Sequence, residues 1–507
     1  MEKILKIRHQ LPYLKAIIQI HSDLAEGLNK SDGYWRFEDL ERMEIDETVS
    51  FEFETRLNNV AANECCCIVY TSGTVGNPKG VMLSHDNILW STFCGITKFE
   101  KIEVGNETIV SYLPMSHTAA QLLDVFGCIL LAGTVYLADR DAMKGTLFNT
   151  ILEAKPTIFF TVPRLFEKIH EKMLDVGAQS GILKKSLGQW AKSVSLQHHM
   201  NKMSGKPTNS LQYRIASKFI LSKVKEALGF QRCHCFITGS ATLGEVTKKY
   251  FLSLDLVIIE GYGMSESSIH TMTPPELPSF KTCGKKLPGT KTKIINLNED
   301  GHGEICMKGR HVFMGYINEK EKTEEAIDDE RWLHSGDLGY IDENGFVYVT
   351  GRLKELIITS GGENIPYLKI EDEVKEECKA VSNAFLIGDQ RKFLSMLITL
   401  KTKLNEDGSQ SDDLAPETIK WLESIDLSYK KLSQVVSKDA DPKILQSIQE
   451  AISRANKKSI SNAQKVQKFA ILPSDFSIAD GDLTPTMKLK RNVVLKKNQQ
   501  IIDNFYL

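Results

Sequence analysis

Residues 70–80, Tyr70-Thr71-Ser72-Gly73-Thr74-Val75-Gly76-Asn77-Pro78-Lys79-Gly80, gather hydroxyls, glycines and one ammonium between two apolar segments. The run before them, Cys65-Cys66-Cys67-Ile68-Val69, reads as a buried strand, and Val81-Met82-Leu83-Ser84-His85 returns to apolar residues before a helix start. A loop of this kind holds phosphate, because glycines let the backbone come close and fixed N–H dipoles favour anions. It is not the Walker loop, which ends in Gly-Lys-Ser/Thr, because here Lys79 is followed by Gly80.

Other residues able to do chemistry stand at strand ends further along. Val110-Ser111-Tyr112-Leu113-Pro114-Met115-Ser116-His117 reads as a strand ending in a turn that presents His117. By itself that imidazole suits a hydrogen-bonded core as well as a pocket. Leu256-Val257-Ile258-Ile259-Glu260-Gly261-Tyr262-Gly263-Met264-Ser265-Glu266-Ser267 is a strand running into a polar turn, with Phe236-Ile237-Thr238-Gly239-Ser240-Ala241 as a similar strand and small-residue turn. Trp332-Leu333-His334-Ser335-Gly336-Asp337 and Gly351-Arg352-Leu353-Lys354-Glu355 add a carboxylate, a permanent fork donor and a lysine. Near the end, Leu483-Thr484-Pro485-Thr486-Met487-Lys488-Leu489-Lys490-Arg491 is a basic stretch. Cys233-His234-Cys235 lacks a second ligand pair and reads as core.

The elements that must position these groups are those of a large α/β chain. At 507 residues it calls for a large domain and at least one more. Composition is ordinary for a soluble protein, 42% hydrophobic and 25% charged. Lys+Arg at 63 against Asp+Glu at 65 gives net charge −2, so global charge points to no nucleic-acid partner. Residues 1–8 are charged where a secretory leader would be apolar, and residues 126–138 are too short an apolar run to span a bilayer. With ten irregularly spaced cysteines, we expect reduced thiols and a cytoplasmic chain. Residues 164–230 read as Lys-rich helices, whose basic faces suit either water or an anionic membrane surface. Residues 11–20 read as helix or strand, 301–315 and 340–349 as β-hairpins, and 403–413 as a polar surface loop.

The wording of the Thr71–Lys79 loop resembles the phosphate signature of the adenylate-forming superfamily, with Val75 where most members have Thr. Ser335-Gly336-Asp337 is similar to its T-G-D element, residues 351–355 to its G-R-x-K-D/E element, and residues 482–491 to its P-x-x-x-(G)-K tail, with Met487 where the Gly before the lysine usually stands. Gly145-Thr146-Leu147, Phe251-Leu252-Ser253-Leu254-Asp255 and Gly303-Glu304-Ile305-Cys306 carry the likeness further, to the bubblegum-type long-chain acyl-CoA synthetases, over nearly the whole chain. The family normally begins with a further domain-sized block upstream of Met1.

The resemblance implies an α/β adenylate-forming architecture. Its large N-terminal domain of stacked α/β sheets would span residues 1–353, and a small mobile C-terminal α+β domain 354–507, with the hinge near Lys354. It implies ATP-dependent activation of long-chain fatty acids to acyl-CoA through an acyl-adenylate, with Mg²⁺ as cofactor and ATP and coenzyme A as co-substrates. The nucleotide would be held by Thr71, Ser72, Gly73, Thr74, Val75, Gly76, Asn77, Pro78, Lys79, Glu260, Gly261, Tyr262, Gly263, Met264, Ser265, Asp337, Arg352 and Lys488. Glu266, with Thr71, would hold magnesium; His117 would line the acyl pocket; Lys488 would be the catalytic lysine, with Lys490 as the alternative. A glycine loop at 361–362 would line the coenzyme A tunnel. Peripheral association with endoplasmic reticulum or other intracellular membranes fits such substrates. The competing readings are a truncated, catalytically silent nucleotide- or lipid-binding form, favoured by Val75 and Met487, and an adenylating ligase for another carboxylic acid.

Overall fold

The computed structural model describes residues 2–20, 28–71, 78–139, 141–142, 145–208, 210–276, 279–298, 301–353, 356–360, 363–405, 410–437, 439–484 and 489–507. The chain forms two compact units, Met1–Glu64 and Cys65–Leu507. In the first, β1 (Ile17–Gln19) pairs in parallel with β2 (Tyr34–Arg36), burying Ile17 opposite Tyr34. Within the segment 11–20, read as helix or strand, residues 17–19 alone are regular, and they are strand. A helix, Glu47–Asn59, starts where the Asp46 side chain accepts the Val49 N–H at 2.8 Å.

The second unit opens with β3 (Cys65–Thr71) and β4 (Lys79–Ser84), an antiparallel pair that brackets the loop and sets Thr71 opposite Lys79. The helix His85–Ile96 follows at once, because Ser84 and Asn87 exchange side-chain-to-backbone hydrogen bonds of 3.0 and 2.8 Å. Then β5 (Thr108–Ser111), β6 (Thr134–Leu137), β7 (Ile158–Thr161), β8 (Cys235–Thr238) and β9 (Ile258–Tyr262) form a parallel sheet in the order β6-β5-β7-β8-β9. Runs such as Ile158-Phe159-Phe160-Thr161 are apolar without alternation because both faces of a parallel sheet are covered. Two antiparallel strands, β10 (Thr271–Met272) and β11 (Lys285–Lys286), extend its edge.

Residues 164–230 are helical as expected, in Pro163–Ala178, Ile182–Met203 and three shorter segments ending at Ala227. Their packing centres on Phe159, Phe166, Phe230, Phe236 and Phe251. One carboxylate ties these helices to the sheet. Asp255 accepts from Tyr213 Oη (2.8 Å), Ser217 Oγ (3.1 Å) and Lys225 Nζ (2.9 Å), and lies 2.9 Å from His199 Nε2. Burial opposes its charge, yet His199 and Lys225 hold the group well below the usual carboxylate range.

The second sheet contains β12 (Lys291–Ile295) and β13 (Gly303–Lys308). After β14 (Gly315–Tyr316), it is completed by β15 (Leu333–Ile341) and β16 (Val347–Arg352), in the order β12-β13-β15-β16. Residues 340–349 are the expected hairpin. Residues 301–315 are not: β13 pairs with β12 and β15, while β14 crosses to β4. The cause is Asn87, whose Nδ2 donates to Arg310 O (2.7 Å) and Val312 O (2.9 Å) and draws that chain toward the start of its helix.

Beyond residue 355 come β17 (Leu356–Ile358), β18 (Asn364–Pro366) and the helix Tyr367–Glu377. A last sheet joins β19 (Val381–Ile387), β20 (Leu394–Leu400) and the strand Val466–Ile471. Within 403–413, read as a loop, Thr402–Leu404 and Gln410–Leu414 pair instead, with the Thr402 hydroxyl donating to Gln410 Oε1 at 2.9 Å and Leu414 fully buried.

Candidate active site

The parallel strands β5, β7, β8 and β9 deliver their C-terminal ends to one rim, where open α/β sheets bind ligands. His117 follows β5 and caps a short helix, its Nδ1 accepting the Ala119 N–H at 3.3 Å. Its Nε2 lies 3.4 Å from Ser240 Oγ, on the turn after β8. That turn and the one after β9 come close: a Cβ on Gly239 would stand 3.2 Å from Gly261 O. At Gly263 a Cβ would lie 1.9 Å from Ser268 O, so only glycine lets the chain double back there. Met264 and Ser265 form the partly buried turn that follows, closed by Ser267 N donating to Met264 O at 3.1 Å.

From this turn Tyr262 reaches the second sheet. Its hydroxyl donates to Asp337 Oδ2 at 2.7 Å, and Arg352 Nε donates to Asp337 Oδ1 at 2.6 Å. Asp337 and Arg352 face one another across the β15–β16 ladder, and Asp337 is 2% exposed. Ser335 supports the turn, donating its hydroxyl to Ile305 O (2.6 Å) and accepting the Asp337 N–H (3.0 Å). A carboxylate has about four lone-pair sites, so two acceptor directions on Asp337 remain for a diol. Burial first, then the neighbouring Asp337 charge, raises the Tyr262 phenol well above its ordinary value, which keeps it a donor.

A second line runs from the loop. The Lys79 ammonium sits over the Tyr316 ring, 4.7 Å from its centroid, and the Tyr316 hydroxyl donates to Glu266 Oε1 at 2.8 Å. Glu266 is 8% exposed, and its backbone carbonyl accepts the Phe313 N–H at 2.8 Å. Its Oε2 has no hydrogen-bond partner among the described residues. Thr238 Oγ1, Ser267 Oγ and Ser268 Oγ are buried hydroxyls likewise unpartnered among the described residues. Buried polar atoms are normally satisfied, so these hydroxyls are exceptions among the described residues.

The structure thus gathers Glu266 with Lys79, and Tyr262 with Asp337 and Arg352. Thr71 sits partly buried at the loop's entry, and Pro78 is exposed at its exit. Ser72, Gly73, Thr74, Val75, Gly76, Asn77, the expected hinge Lys354, the glycines 361–362 and Lys488 lie outside the described residues. Glu260 stands apart from the expectation for its side chain. Its carboxylate is buried, Oε2 pairs with the Lys248 ammonium and Oε1 accepts the Leu243 N–H at 3.3 Å. A carboxylate carried that deep needs a cation, which the helix Glu245–Ser253 supplies.

Sequence reasoning missed Tyr316, which joins Lys79 to Glu266, and Ser240, the neighbour of His117. It also missed Asp124, whose only signal is one acid inside an apolar run. Asp124 lies in a π-helical turn, Gln121–Gly127, and burial pushes its carboxyl up to about 6.

Comparison with known proteins agrees with this geometry. The AMP-binding enzyme family profile matches residues 2–317, and the AMP-binding enzyme C-terminal domain profile matches 354–470. Long-chain-fatty-acid–CoA ligase ACSBG2 of Gallus gallus is 46% identical over 99% of this chain, which spans 66% of that protein's length. The Homo sapiens protein of the same name is 44% identical over 100% of this chain and 75% of its own. Among solved structures, the anthranilate CoA ligase AuaEII in complex with anthranoyl-AMP superposes with a TM-score of 0.63 at 15% identity, over 99% of this chain and 77% of that one. At that identity the likeness concerns the fold alone.

Proposed function

This chain belongs to the AMP-binding enzyme family, among the bubblegum-type long-chain-fatty-acid–CoA ligases, and we propose that its own site activates a long-chain fatty acid with ATP and passes it to coenzyme A. The observation that carries this reading is Asp337, buried and held from two sides by Tyr262 and Arg352, with acceptor directions left for a ribose diol.

In the first half-reaction a fatty-acid carboxylate oxygen attacks the α-phosphorus. The bond from that phosphorus to the bridging oxygen breaks, pyrophosphate leaves, and an acyl-adenylate remains. Lys79, the loop backbone and the hydroxyls of residues 71–74 steady the β- and γ-phosphates. Lys488 neutralises charge growing around the α-phosphate, a type of preorganised contact worth several kcal/mol. Glu266 fits a magnesium ion: its carboxylate is buried, Tyr316 fixes Oε1, and Oε2 faces no competing donor among the described residues. Bound there with Thr71, that ion supplies charge neutralisation at the phosphate oxygens. In the second half-reaction the coenzyme A thiol sulfur attacks the acyl carbon, the carbon–oxygen bond to AMP breaks, and AMP leaves with the thiol proton released to solvent. His117, beside Ser240 on the same rim, borders the acyl carbonyl. Residues 354–507 turn about Lys354 between the two steps, withdrawing Lys488.

The test is formation of palmitoyl-CoA from palmitate, ATP and coenzyme A by the purified 507-residue chain, with Lys488→Ala beside it. Loss of adenylation with the thioester step from supplied palmitoyl-adenylate spared is the expected result. A folded wild type that binds ATP yet makes neither adenylate nor thioester overturns the reading. The same proposal extends to a cytoplasmic chain that touches membranes at its surface. No described helix is long and apolar enough to cross a bilayer, but Ile182 and Leu183, 84% and 86% exposed, adjoin Lys184 and Lys185 at the start of a 22-residue helix. Cosedimentation with anionic vesicles, lost in Ile182→Ser/Leu183→Ser, tests it.

A further inference from the structure

Glu304 and Cys306 lie on β13, and His334 faces them from β15. His334 Nδ1 is 3.1 Å from Glu304 Oε2 and 3.8 Å from Cys306 Sγ. All three donor atoms fall within 4.8 Å of one another. Tetrahedral zinc, with bonds of about 2.3 Å to sulfur and about 2.0–2.1 Å to nitrogen or oxygen, sets edges of about 3.5 Å (S to N) and about 3.3 Å (N to O). The two edges at His334 Nδ1 therefore already stand close to those values, and the third, Cys306 Sγ to Glu304 Oε2, is within 4.8 Å. The outer nitrogen, His334 Nε2, lies 3.5 Å from Asp328 Oδ2, the carboxylate–histidine pairing that orients metal-bound imidazoles. Cys306 is fully buried, whereas the His334 side chain is 28% exposed and opens the set to solvent.

We propose that Glu304, Cys306 and His334 bind a zinc ion, with Asp328 orienting the histidine and the fourth position open to water. A soft thiolate, a borderline imidazole and a carboxylate select zinc over calcium or magnesium, which take oxygen ligands. The site is separate from Glu266. Glu304 divides its oxygens: Oε2 faces the site, and Oε1 accepts the Gly336 N–H at 3.0 Å. An ion here thereby stiffens the turn leading into Asp337.

The experiment takes the chelator-stripped full chain and titrates Zn²⁺ against a chromophoric competitor, with Cd²⁺ in parallel to read thiolate charge-transfer absorption. Because the chain has ten cysteines, the decisive quantity is the difference between variants. Wild type should bind one more equivalent than Cys306→Ser or His334→Gln, and both variants should lose part of the Cd²⁺ band. Asp328→Asn keeps all three ligands and the oxygen that accepts the Trp332 N–H, so it folds even if Cys306→Ser does not; its affinity should fall about 10- to 100-fold. Equal stoichiometry and an unchanged band in Cys306→Ser or His334→Gln, or unchanged affinity in Asp328→Asn, overturns the site. Neither readout depends on ligase activity.

Discussion

Replacing Asp337 by asparagine isolates the ribose contact from the rest of the site. The shape is kept, and the new amide satisfies both present neighbours. Its oxygen accepts from Arg352 Nε, which cannot act as an acceptor, and its NH₂ turns toward Tyr262, whose hydroxyl can accept instead of donate. Folding should therefore change little. What is lost is one ionic acceptor for the diol, and a hydrogen bond to a charged group contributes about 1.5–3 kcal/mol, or about 10- to 150-fold in affinity for ATP. The assay is ATP titration of the chain by calorimetry, followed by palmitate-dependent pyrophosphate exchange. The apparent KM for ATP should rise by that factor while the KM for palmitate stays within about twofold, because palmitate makes no contact with Asp337. ATP affinity unchanged within about twofold in a folded variant would refute the assignment of Asp337, and with it the observation on which the function was argued.

Tyr316→Phe removes the hydrogen bond to Glu266 but keeps the ring beneath Lys79; pyrophosphate exchange should fall about 10-fold with the melting temperature nearly unchanged, and a loss confined to stability would refute the link. Asp255→Ala strips a buried carboxylate from Tyr213, Ser217, Lys225 and His199, and urea unfolding should show a loss of about 3–5 kcal/mol; a loss below about 1 kcal/mol would show that the clamp is ornamental. Burial holds His311 down to about 4 against 6.5 unfolded. The folded state thus takes up a proton later than the unfolded one, so stability is intact above pH 6.5 and declines as pH falls toward 4. The loss from this residue is about 2 kcal/mol at pH 5, read as the part of the urea-midpoint shift between pH 7 and 5 that His311→Asn removes. His270, whose Nδ1 lies 2.9 Å from His311 Nε2 and which burial also pushes well down, contributes a loss of the same sign.

The stretch proposed to bind phosphate could be picked out from its residues because its chemistry is local. Hydroxyls, glycines and a lysine compressed between two apolar runs have few other uses, and the flanking strands β3 and β4 lie where the runs predict, although β3, read as buried, buries only Val69 and leaves Cys65, Ile68 and Tyr70 exposed. The parallel strands were legible for a similar reason, since continuous apolar runs bounded by small-residue turns report burial on both faces. The segment 301–315 was misread because a hairpin and a strand that crosses to another sheet have the same local pattern; a side chain more than two hundred residues away, Asn87, decides between them. The partner of Glu260 was hidden for the same reason, as nothing near it in sequence announces Lys248.

By itself, the sequence determined which groups we propose for binding a nucleotide: the stretch at 71–79, the acid at 266, the Asp337 turn and the arginine at 352. Motifs of that kind survive because the chemistry fixes both residue type and spacing. Only the tertiary structure decided how those groups are wired. It gave Asp337 to Tyr262 and Arg352, set Tyr316 between Lys79 and Glu266, paired Glu260 with Lys248, and brought Cys306 and Glu304 beside His334. Each of these pairings joins residues on different strands or helices. Their distances are set by sheet register and helix packing, long-range quantities that no stretch of neighbouring residues encodes.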